Sequence, residues 1–492
     1  MSNYKKLCAV FAKYISLNQI SSLLSWDSQV MLPKNATKQR SRQQIIIYEI
    51  IENLISDPEI GDLINNVDSS KLDQYQKRNF LLMQKFLNER NIIPKNLRAE
   101  FQKQALETES FWLLAREKND FQIFNKPFKK LIDLLREISI IKSQKMNISK
   151  YESLLNQYSK GVKEQDLDKI FTSLKKSLPN LIDKVICSQR PKNKLISTNI
   201  PISQQRNCFN YIAKKILISD NWCRLDESVH PFTSGFKNDV RITTRYDKNN
   251  FISALMGIIH ESGHALYDHN LPSKFSDKLI GQDAGMAIHE SQSLFFEMQI
   301  ARSKSFCQFL TPIINKYFKK DFSSDELFNI FNYVEKSEIR VDADELTYPL
   351  HIILRYEIER DLINGKIETD DIVEVWHEKS KNYLGIEKTS LIKGCLQDIH
   401  WSDGSIGYFP TYSLGAIYAA QIASKIKNIL PNFEEEVSKG KFTNIKNILK
   451  DNIHSTANIY DPDSIICNFS GSSLDVKNYI NYLNNKFLQK NG

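Results

Sequence analysis

Histidines are concentrated in one part of the chain, and their spacing suits a metal-dependent hydrolase. Of nine histidines, four fall between positions 260 and 289, and two of them belong to the segment HESGH, from His260 to His264. This segment lies in an apolar run with helical periodicity. Residues four apart in a helix share a face, so both imidazoles can bind one Zn²⁺. Glu261 is turned by about 100° from His260 and can reach a water on that metal. The spacing therefore predicts a zinc site with Glu261 as general base.

A zinc site of this kind needs a third protein ligand, because hydrolytic zinc usually has three protein ligands and a fourth position for water. Glu290, in the segment HESQ, follows His264 by 26 residues and lies on the next predicted helix, after a break that contains Pro272 and Gly281. A carboxylate there would complete a His–His–Glu set, so we expect Glu290 to be the ligand. The residues alone leave two alternatives open: His289 is the ligand, or Glu290 is an ordinary surface acid.

The elements that must position these side chains are mostly helices. The clearest strand signal is Asp239–Tyr246, where apolar and polar residues alternate. No linker or internal repeat divides the chain, so we expect a mainly α fold with a small sheet in the middle, forming one catalytic domain over residues 1–492. Apolar residues recur at three- and four-residue spacing, and so predict helices, over Tyr4–Leu24, Gln43–Ile55, Leu72–Leu87, Arg98–Ala115, Phe124–Ile141, Leu167–Val185, Gln204–Ile218, Phe251–Tyr267, Ala284–Ser303, Leu346–Leu362, Thr369–Tyr383, Tyr412–Ile429 and Val476–Phe487.

Composition argues against several other classes of protein. Hydrophobic residues make up 41% of the chain and charged residues 25%, which are ordinary globular values. The net charge of +8 is not gathered into runs, and the densest basic stretch, 129–145, alternates with apolar residues as a solvated helix face does, so we expect no nucleic-acid partner. No apolar run reaches the roughly 18 residues of a membrane span, and we expect neither a membrane partner nor a secretory signal. The seven cysteines are scattered without a CxxC pair, which indicates reduced thiols and a cytoplasmic location.

Beyond the histidines, eight short motifs occur along the chain. In order, they are LSWDSQVMLP (Leu24–Pro33), HPF (His230–Phe232), DVRIT (Asp239–Thr243), HESGH (His260–His264), HESQ (His289–Gln292), IRVDAD (Ile339–Asp344), GCLQDIHW (Gly394–Trp401) and GYFPTYSLG (Gly407–Gly415). Together they resemble the motifs of the carboxypeptidase Taq family of metallocarboxypeptidases. The sequence departs from the usual family pattern at Val30 and at 295–298, and neither change touches a proposed ligand.

The resemblance implies a function, a fold and a set of site residues. The family fold is a helical, clam-like body with a deep groove, similar to neurolysin, and its members are commonly homodimers that bind Zn²⁺, with Co²⁺ as an alternative. By this resemblance the enzyme removes single residues from the C-termini of peptides with broad specificity. His260, His264 and Glu290 match the family's metal ligands and Glu261 its general base. The positions that match substrate-binding residues are Arg340, His230, Asp239, Arg241, His400, Tyr408 and Tyr412.

Restriction to C-termini requires a group that grips a terminal carboxylate, and a guanidinium does so through two parallel hydrogen bonds. Arg340 is our first choice and Arg241 the second, although each could instead form a structural ion pair, with Asp342 or Asp344 in the first case and with Asp239 in the second. His400, Tyr408 and Tyr412 are unranked candidates for stabilising the oxyanion. Two other functions stay open: an oligopeptidase that cuts internally or releases dipeptides, and a non-catalytic peptide-binding scaffold.

Overall fold

The computed structural model describes residues 2–189 and 199–488, and its first four helices form a layer with its own small core. Their inward faces bury a cluster that includes Leu7, Phe11 and Met83. The Asp73 side chain caps the fourth helix in a reciprocal capping box with Gln76. The helices of this layer are α1 (Asn3–Val30), α2 (Thr37–Ile55), α3 (Pro58–Asn65) and α4 (Gln74–Ile92).

The other helices surround a much larger hydrophobic core. One helical segment, Phe295–Ala301, has π-helical geometry and directly follows α11. The helices are α5 (Lys95–Lys118), α6 (Phe121–Met146), α7 (Lys150–Leu155), α8 (Glu164–Ser188), α9 (Ile202–Ile216), α10 (Phe251–Asn270), α11 (Met286–Leu294), α12 (Lys304–Phe318), α13 (Ser324–Phe331), α14 (Tyr348–Ile363), α15 (Ile372–Leu384), α16 (Pro410–Ile429), α17 (Phe433–Ser438), α18 (Thr443–Asn452), α19 (Pro462–Ser470) and α20 (Val476–Leu488).

A small sheet interrupts the helices between α9 and α10. It consists of β1 (Cys223–Glu227), β2 (Thr233–Phe236) and β3 (Asp239–Thr244), in the order β1-β3-β2. The central strand β3 pairs in parallel with β1 and antiparallel with β2. The prediction of a mainly α fold with a small sheet in the middle is confirmed, and the predicted strand ends at Thr244 rather than Tyr246.

Glycines allow α10, α11 and α16 to pack closely. A Cβ at Gly263 in α10 would lie 2.7 Å from the carbonyl oxygen of Gln292 in α11. A Cβ at Gly415 in α16 would lie 2.7 Å from both Cβ and Cγ of Glu290 in α11. The backbones therefore approach more closely than side chains at these positions would permit, and α11 is held between the other two helices.

Helix α1 is the one helix among the described residues that is long and apolar enough to cross a membrane by length and composition. Its most apolar 18-residue window is 17% buried and lies near the N-terminus. One such helix is weak evidence for a membrane span, since core helices and signal sequences have the same length and composition.

Candidate metal centre and active site

Helix α10 carries the HESGH segment and presents it to a groove. The side chain of Asn250 caps the helix by accepting a hydrogen bond from the backbone N–H of Ser253 at 3.2 Å. The apolar residues before the motif, among them Leu255 and Ile258, are buried and fix the rotation of the helix. This rotation leaves the polar residues of the motif facing the groove.

The structure brings His260, His264 and Glu290 together. Nε2 of His260 lies 3.6 Å from one carboxylate oxygen of Glu290, and Nε2 of His264 lies 3.5 Å from the other. One ligand atom from each of the three residues lies within 4.8 Å of the others. Glu290 is only 3% exposed, so the carboxylate is buried at the bottom of the site rather than on the surface.

The geometry of these three residues fits a divalent cation. Ligands at about 2.0–2.1 Å from a tetrahedral ion lie about 3.3–3.5 Å apart, close to the observed separations. Within residues 2–189 and 199–488, Oε1 of Glu290 is buried and has no hydrogen-bond partner. Burial alone would lower the pKa of His260, but Glu290, Glu297 and Glu261 raise it to about 10. The site therefore stabilises positive charge at the point where the three ligand atoms converge.

Further side chains hold the two imidazoles from behind. Nδ1 of His260 lies 2.9 Å from Oε2 of Glu297, whose other oxygen accepts a hydrogen bond from Arg302 at 2.9 Å. Nδ1 of His264 lies 2.5 Å from Nδ1 of His289, and Nε2 of His289 lies 3.0 Å from Asp268. A partner on the far nitrogen fixes the tautomer and orientation of a ligating histidine.

This arrangement bears on the choice between Glu290 and His289 as third ligand. Both ring nitrogens of His289 are occupied by His264 and Asp268, whereas Glu290 faces the Nε2 atoms of both HESGH histidines. The geometry favours Glu290.

Glu261 lies beside His260, His264 and Glu290, and a threonine of the sheet contacts its carboxylate. Oγ1 of Thr233, in β2, lies 2.6 Å from Oε2 of Glu261 and 3.1 Å from its backbone oxygen. Thr233 contacts only one of the two carboxylate oxygens, so the other oxygen can accept a hydrogen bond from a further group in the groove.

The groove above the site has a volume of about 700 Å³ and two walls. Helices α1 and α4 of the N-terminal layer supply one wall, which includes Tyr14, Asn18 and Phe86. The other wall consists of β2, α10 and α11, with Tyr408 and Tyr412 beside the ligand residues. A peptide lying in this groove would therefore contact both layers of the fold.

Tyr408, Tyr412 and His400 form an aromatic cluster at one side of the groove. The rings of Tyr408 and Tyr412 are 5.4 Å apart, and that of His400 is 5.2 Å from Tyr408. The hydroxyl of Tyr412 lies 3.3 Å from Nε2 of His400. The hydroxyl of Tyr408 makes no hydrogen bond within the described part of the chain, so it is the freer donor.

Arg340 lies behind Tyr412 in a buried cluster of charges. Its guanidinium carbon is 4.9 Å from the centre of the Tyr412 ring. It forms an ion pair with Asp398 at 2.9 Å, and Arg355 pairs with the other oxygen of Asp398 at 2.6 Å. The ion-pair partner of Arg340 is therefore Asp398 rather than Asp342 or Asp344, the two acids that the sequence suggested. Two guanidiniums share one carboxylate, so the group formed by Arg340, Arg355 and Asp398 carries one excess positive charge.

The remaining predicted substrate residues lie around the sheet. His230 lies at the surface. Partial desolvation of its ring, together with the positive charges of Arg245 and Arg116, lowers the pKa of His230. Arg241 pairs with Asp239 at 2.9 Å, the alternative that the sequence left open. None of these three residues lines the groove around the ligand residues.

Sequence reasoning did not assign a role to Thr233, Glu297 or Gly415. Thr233 directly follows the HPF segment and Gly415 ends GYFPTYSLG, and only the fold shows what each of them contacts. Glu297 lies seven residues after Glu290, a spacing that places two side chains on one face of a helix, and it contacts His260 from the π-helical segment. That spacing was the signal in the sequence that could have found Glu297.

Together, the helical fold and a buried His–His–Glu cluster with an adjacent carboxylate in a groove define the class of HExxH metal-dependent hydrolases. The profile of the carboxypeptidase Taq (M32) metallopeptidase family matches residues 6–487. The chain belongs to this family, which makes it a metallocarboxypeptidase that uses a divalent metal.

Curated and solved relatives agree with this assignment over nearly the whole chain. Carboxypeptidase 1 of Bacillus subtilis is 34% identical over 95% of this chain and 94% of its own length. Thermostable carboxypeptidase 1 of Pyrococcus furiosus is 31% identical over 98% of both chains. The structure of metallocarboxypeptidase 1 of Trypanosoma cruzi superposes with a TM-score of 0.94 at 34% identity, covering 99% of each chain. The expected family and fold are confirmed.

Proposed function

We propose that this metallocarboxypeptidase acts in the cytoplasm with zinc, and that it releases single residues from the free C-termini of peptides. The observation that carries the proposal is the convergence of His260, His264 and Glu290 beside Glu261 in the groove, with the buried Arg340 packed behind Tyr412. Residues 1–492 would act as one catalytic unit, since both layers of the fold line the groove.

His260, His264 and Glu290 would hold Zn²⁺, with Co²⁺ as an alternative of similar ligand preference. When bound, such an ion acts as a Lewis acid on the scissile carbonyl and lowers the pKa of a water molecule to about 7. Glu297 and His289 would keep the two imidazoles in the ligating orientation through the contacts described above.

Glu261 would act as general base and then as general acid. It takes a proton from the attacking water and delivers it to the departing amine, so its carboxylate must stay within hydrogen-bond reach of both. Its place on α10, one residue after His260, and its contact with Thr233 support this role.

A tyrosine hydroxyl would donate to the oxyanion that forms at the carbonyl. Tyr408 is our first choice, because its hydroxyl is not used within the described part of the chain. Tyr412 is the second, supported by His400 at 3.3 Å. A preorganised donor of this kind stabilises the transition state more than the substrate.

Arg340 would bind the terminal carboxylate of the peptide. Its contacts with Asp398 and Tyr348 use three of its five N–H donors, so two remain for a substrate. Because Arg355 also pairs with Asp398, the single carboxylate does not neutralise both guanidiniums. The remaining positive charge favours the binding of a substrate carboxylate.

His230, Asp239 and Arg241 would contact more distant parts of the substrate at the rim of the groove. Asp239 has a side chain that is 64% exposed, whereas Arg241 is 17% exposed and lies 4.3 Å from the ring of Trp26. Asp239 would therefore contact the substrate, and Arg241 would hold Asp239 in place through their ion pair.

We further propose a homodimer that does not bind nucleic acid or membranes. Helices α1 and α2 expose Ile20, Leu23, Ile45, Ile46 and Ile50, each at least 40% exposed, and exposed apolar side chains on one layer favour a protein contact. Light scattering at micromolar concentration tests the oligomeric state. The described cysteines are all free, which suits a reducing compartment.

The proposal is tested with an N-blocked peptide and the same peptide amidated at its C-terminus, each incubated with zinc-loaded protein and analysed by mass spectrometry. We expect fragments that lose one C-terminal residue at a time from the free acid, and little reaction of the amide. Internal fragments from both peptides would instead support an oligopeptidase. Binding without hydrolysis would support a non-catalytic scaffold.

A further inference from the structure

The β2–β3 hairpin reaches the active site through one threonine. In β2, which pairs antiparallel with β3, Thr233 lies opposite Ile242. Successive residues of a strand point to opposite sides. The hydroxyl of Ser234 lies 2.8 Å from that of Ser22 in α1, whereas the hydroxyl of Thr233 faces α10 and Glu261. The hairpin thus contacts α1 on one side and α10 on the other, and Thr233 forms its hydrogen bonds with the helix that carries His260 and His264.

The Thr233 hydroxyl is close enough to fix the Glu261 carboxylate in one orientation. It lies 2.6 Å from Oε2 of Glu261, a short distance typical of a hydroxyl that donates to a charged carboxylate. A glutamate side chain has several rotamers, and each contact that fixes one of them lowers the entropy lost on reaching the reactive geometry. Thr233 is partly buried and Glu261 is buried, so bulk water competes poorly for the hydrogen bond between them.

The HPF and DVRIT segments hold Thr233 in place. Oγ1 of Thr243 in β3 accepts hydrogen bonds from the backbone N–H of Phe232 at 3.0 Å and from the hydroxyl of Ser228 at 2.7 Å. These bonds fix the chain directly before Thr233. The position of its hydroxyl is therefore set by the sheet and does not depend on the residues that would bind metal.

We propose that Thr233 is a positioning residue for the general base, an inference that rests on the proposed function of Glu261. Thr233 donates to Oε2 and keeps its own proton throughout the reaction. The second oxygen of Glu261 accepts the proton of the attacking water and returns it to the departing amine. Fixing one oxygen of the carboxylate thus presents the other oxygen to the reacting atoms.

The proposal predicts a defined pattern of kinetic effects. Thr233→Val preserves the shape of the side chain and removes the hydroxyl. Since hydrogen bonds to charged groups are among the stronger ones, we expect kcat to fall by about tenfold to a hundredfold with KM little changed. Thr233→Ser keeps the hydroxyl and should restore most of kcat. Thr244→Val removes a buried threonine hydroxyl from the same sheet, 3.5 Å from the backbone of α10, and should leave kcat unchanged.

The experiment measures kcat, KM and bound metal for the wild type and these variants. Positioning through Glu261 predicts equal metal content in all of them, and a loss of kcat in Thr233→Val that Thr233→Ser largely restores. Unchanged kcat in Thr233→Val, or a loss of bound metal that accounts for the loss of activity, would overturn the proposal.

A crystal structure of Thr233→Val separates this inference from the proposed function. A displaced Glu261 carboxylate in the variant supports positioning, and an unmoved one refutes it, even if the wild type shows no peptidase activity. Inactivity of the metal-loaded wild type would instead refute the proposed function.

Discussion

Gly415 sits against the proposed ligand Glu290, and a methyl group at this position should weaken metal binding without altering any ligand. The added Cβ would lie 2.7 Å from Cβ and Cγ of Glu290 and 3.1 Å from its carbonyl carbon, whereas ordinary contact begins at 3.4 Å. Glu290 or α16 must therefore move by about 0.7 Å, more than the roughly 0.2 Å that metal–ligand distances tolerate.

The expected magnitudes separate an effect on the site from an effect on the fold. Alanine in a helix interior gains about 1 kcal/mol over glycine, and overpacking costs about 1–3 kcal/mol, so Gly415→Ala should lower the free energy of unfolding only slightly. Misplacing a ligand or its support typically reduces metal affinity by about tenfold to a hundredfold. The main effect should therefore be on metal binding.

A competition titration with a chromophoric chelator measures the metal affinity of Gly415→Ala, and chemical denaturation measures its stability. Gly257→Ala in α10 is the matched control, because its Cβ would make only ordinary contacts at 3.8 and 3.9 Å. It should raise the free energy of unfolding by about 0.5–1 kcal/mol and leave metal affinity unchanged. Wild-type metal affinity in folded Gly415→Ala would refute the assignment of Glu290 as a ligand packed against α16.

Two further perturbations test other parts of the site, and a third tests a buried carboxylate in α14. Glu297→Gln removes the charge behind His260 and should weaken metal binding by about tenfold to a hundredfold in a calorimetric titration; unchanged affinity would argue against this support. Tyr408→Phe should lower kcat by about a hundredfold or more with metal content unchanged, and a normal kcat would transfer the oxyanion role to Tyr412. Burial raises the pKa of Glu359 from its ordinary 4.5 to about 7 despite hydrogen bonds from Gly407, Tyr151 and Trp401. The contribution of Glu359 to the free energy of unfolding is therefore complete below pH 4.5 and is lost as the pH rises through about 7. We expect the free energy of unfolding to fall between pH 5 and pH 8, and to fall less in Glu359→Gln. Chemical denaturation at each pH measures this difference.

The long helices were predictable from sequence because their apolar stripes are regular. The predicted segment Phe251–Tyr267 corresponds to α10 (Phe251–Asn270), and Tyr412–Ile429 corresponds to α16 (Pro410–Ile429). Short elements such as α7 were missed, since six residues contain too few turns to show a period. Strand β2 was missed because the four residues TSGF contain little alternation of apolar and polar side chains.

The run Ala284–Ser303 shows where periodicity failed. It was predicted as one helix, and the structure divides it into α11 and the π-helix Phe295–Ala301. Most side chains of this run are buried and none of them is exposed, so the apolar pattern has no exposed face from which a period could be measured. Glu297 contacts His260 from within this π-helical segment.

Within the site, local spacing predicted what lies on one helix and failed for contacts between distant segments. The placing of His260, Glu261 and His264 follows from α10 alone. The partner of Arg340 was sought among acids within four residues, whereas the structure pairs it with Asp398, 58 positions away in sequence. Such pairs are set by the packing of α14 and its neighbouring loops, which the sequence does not display.

Metal analysis combined with a C-terminal ladder assay on wild type and Glu261→Gln tests the proposed mechanism most directly. We expect one equivalent of divalent metal in both proteins, stepwise loss of single C-terminal residues with the wild type, and no ladder with the variant. Metal-loaded Glu261→Gln that hydrolyses peptides as fast as the wild type would contradict this mechanism, as would wild-type protein that yields only internal fragments.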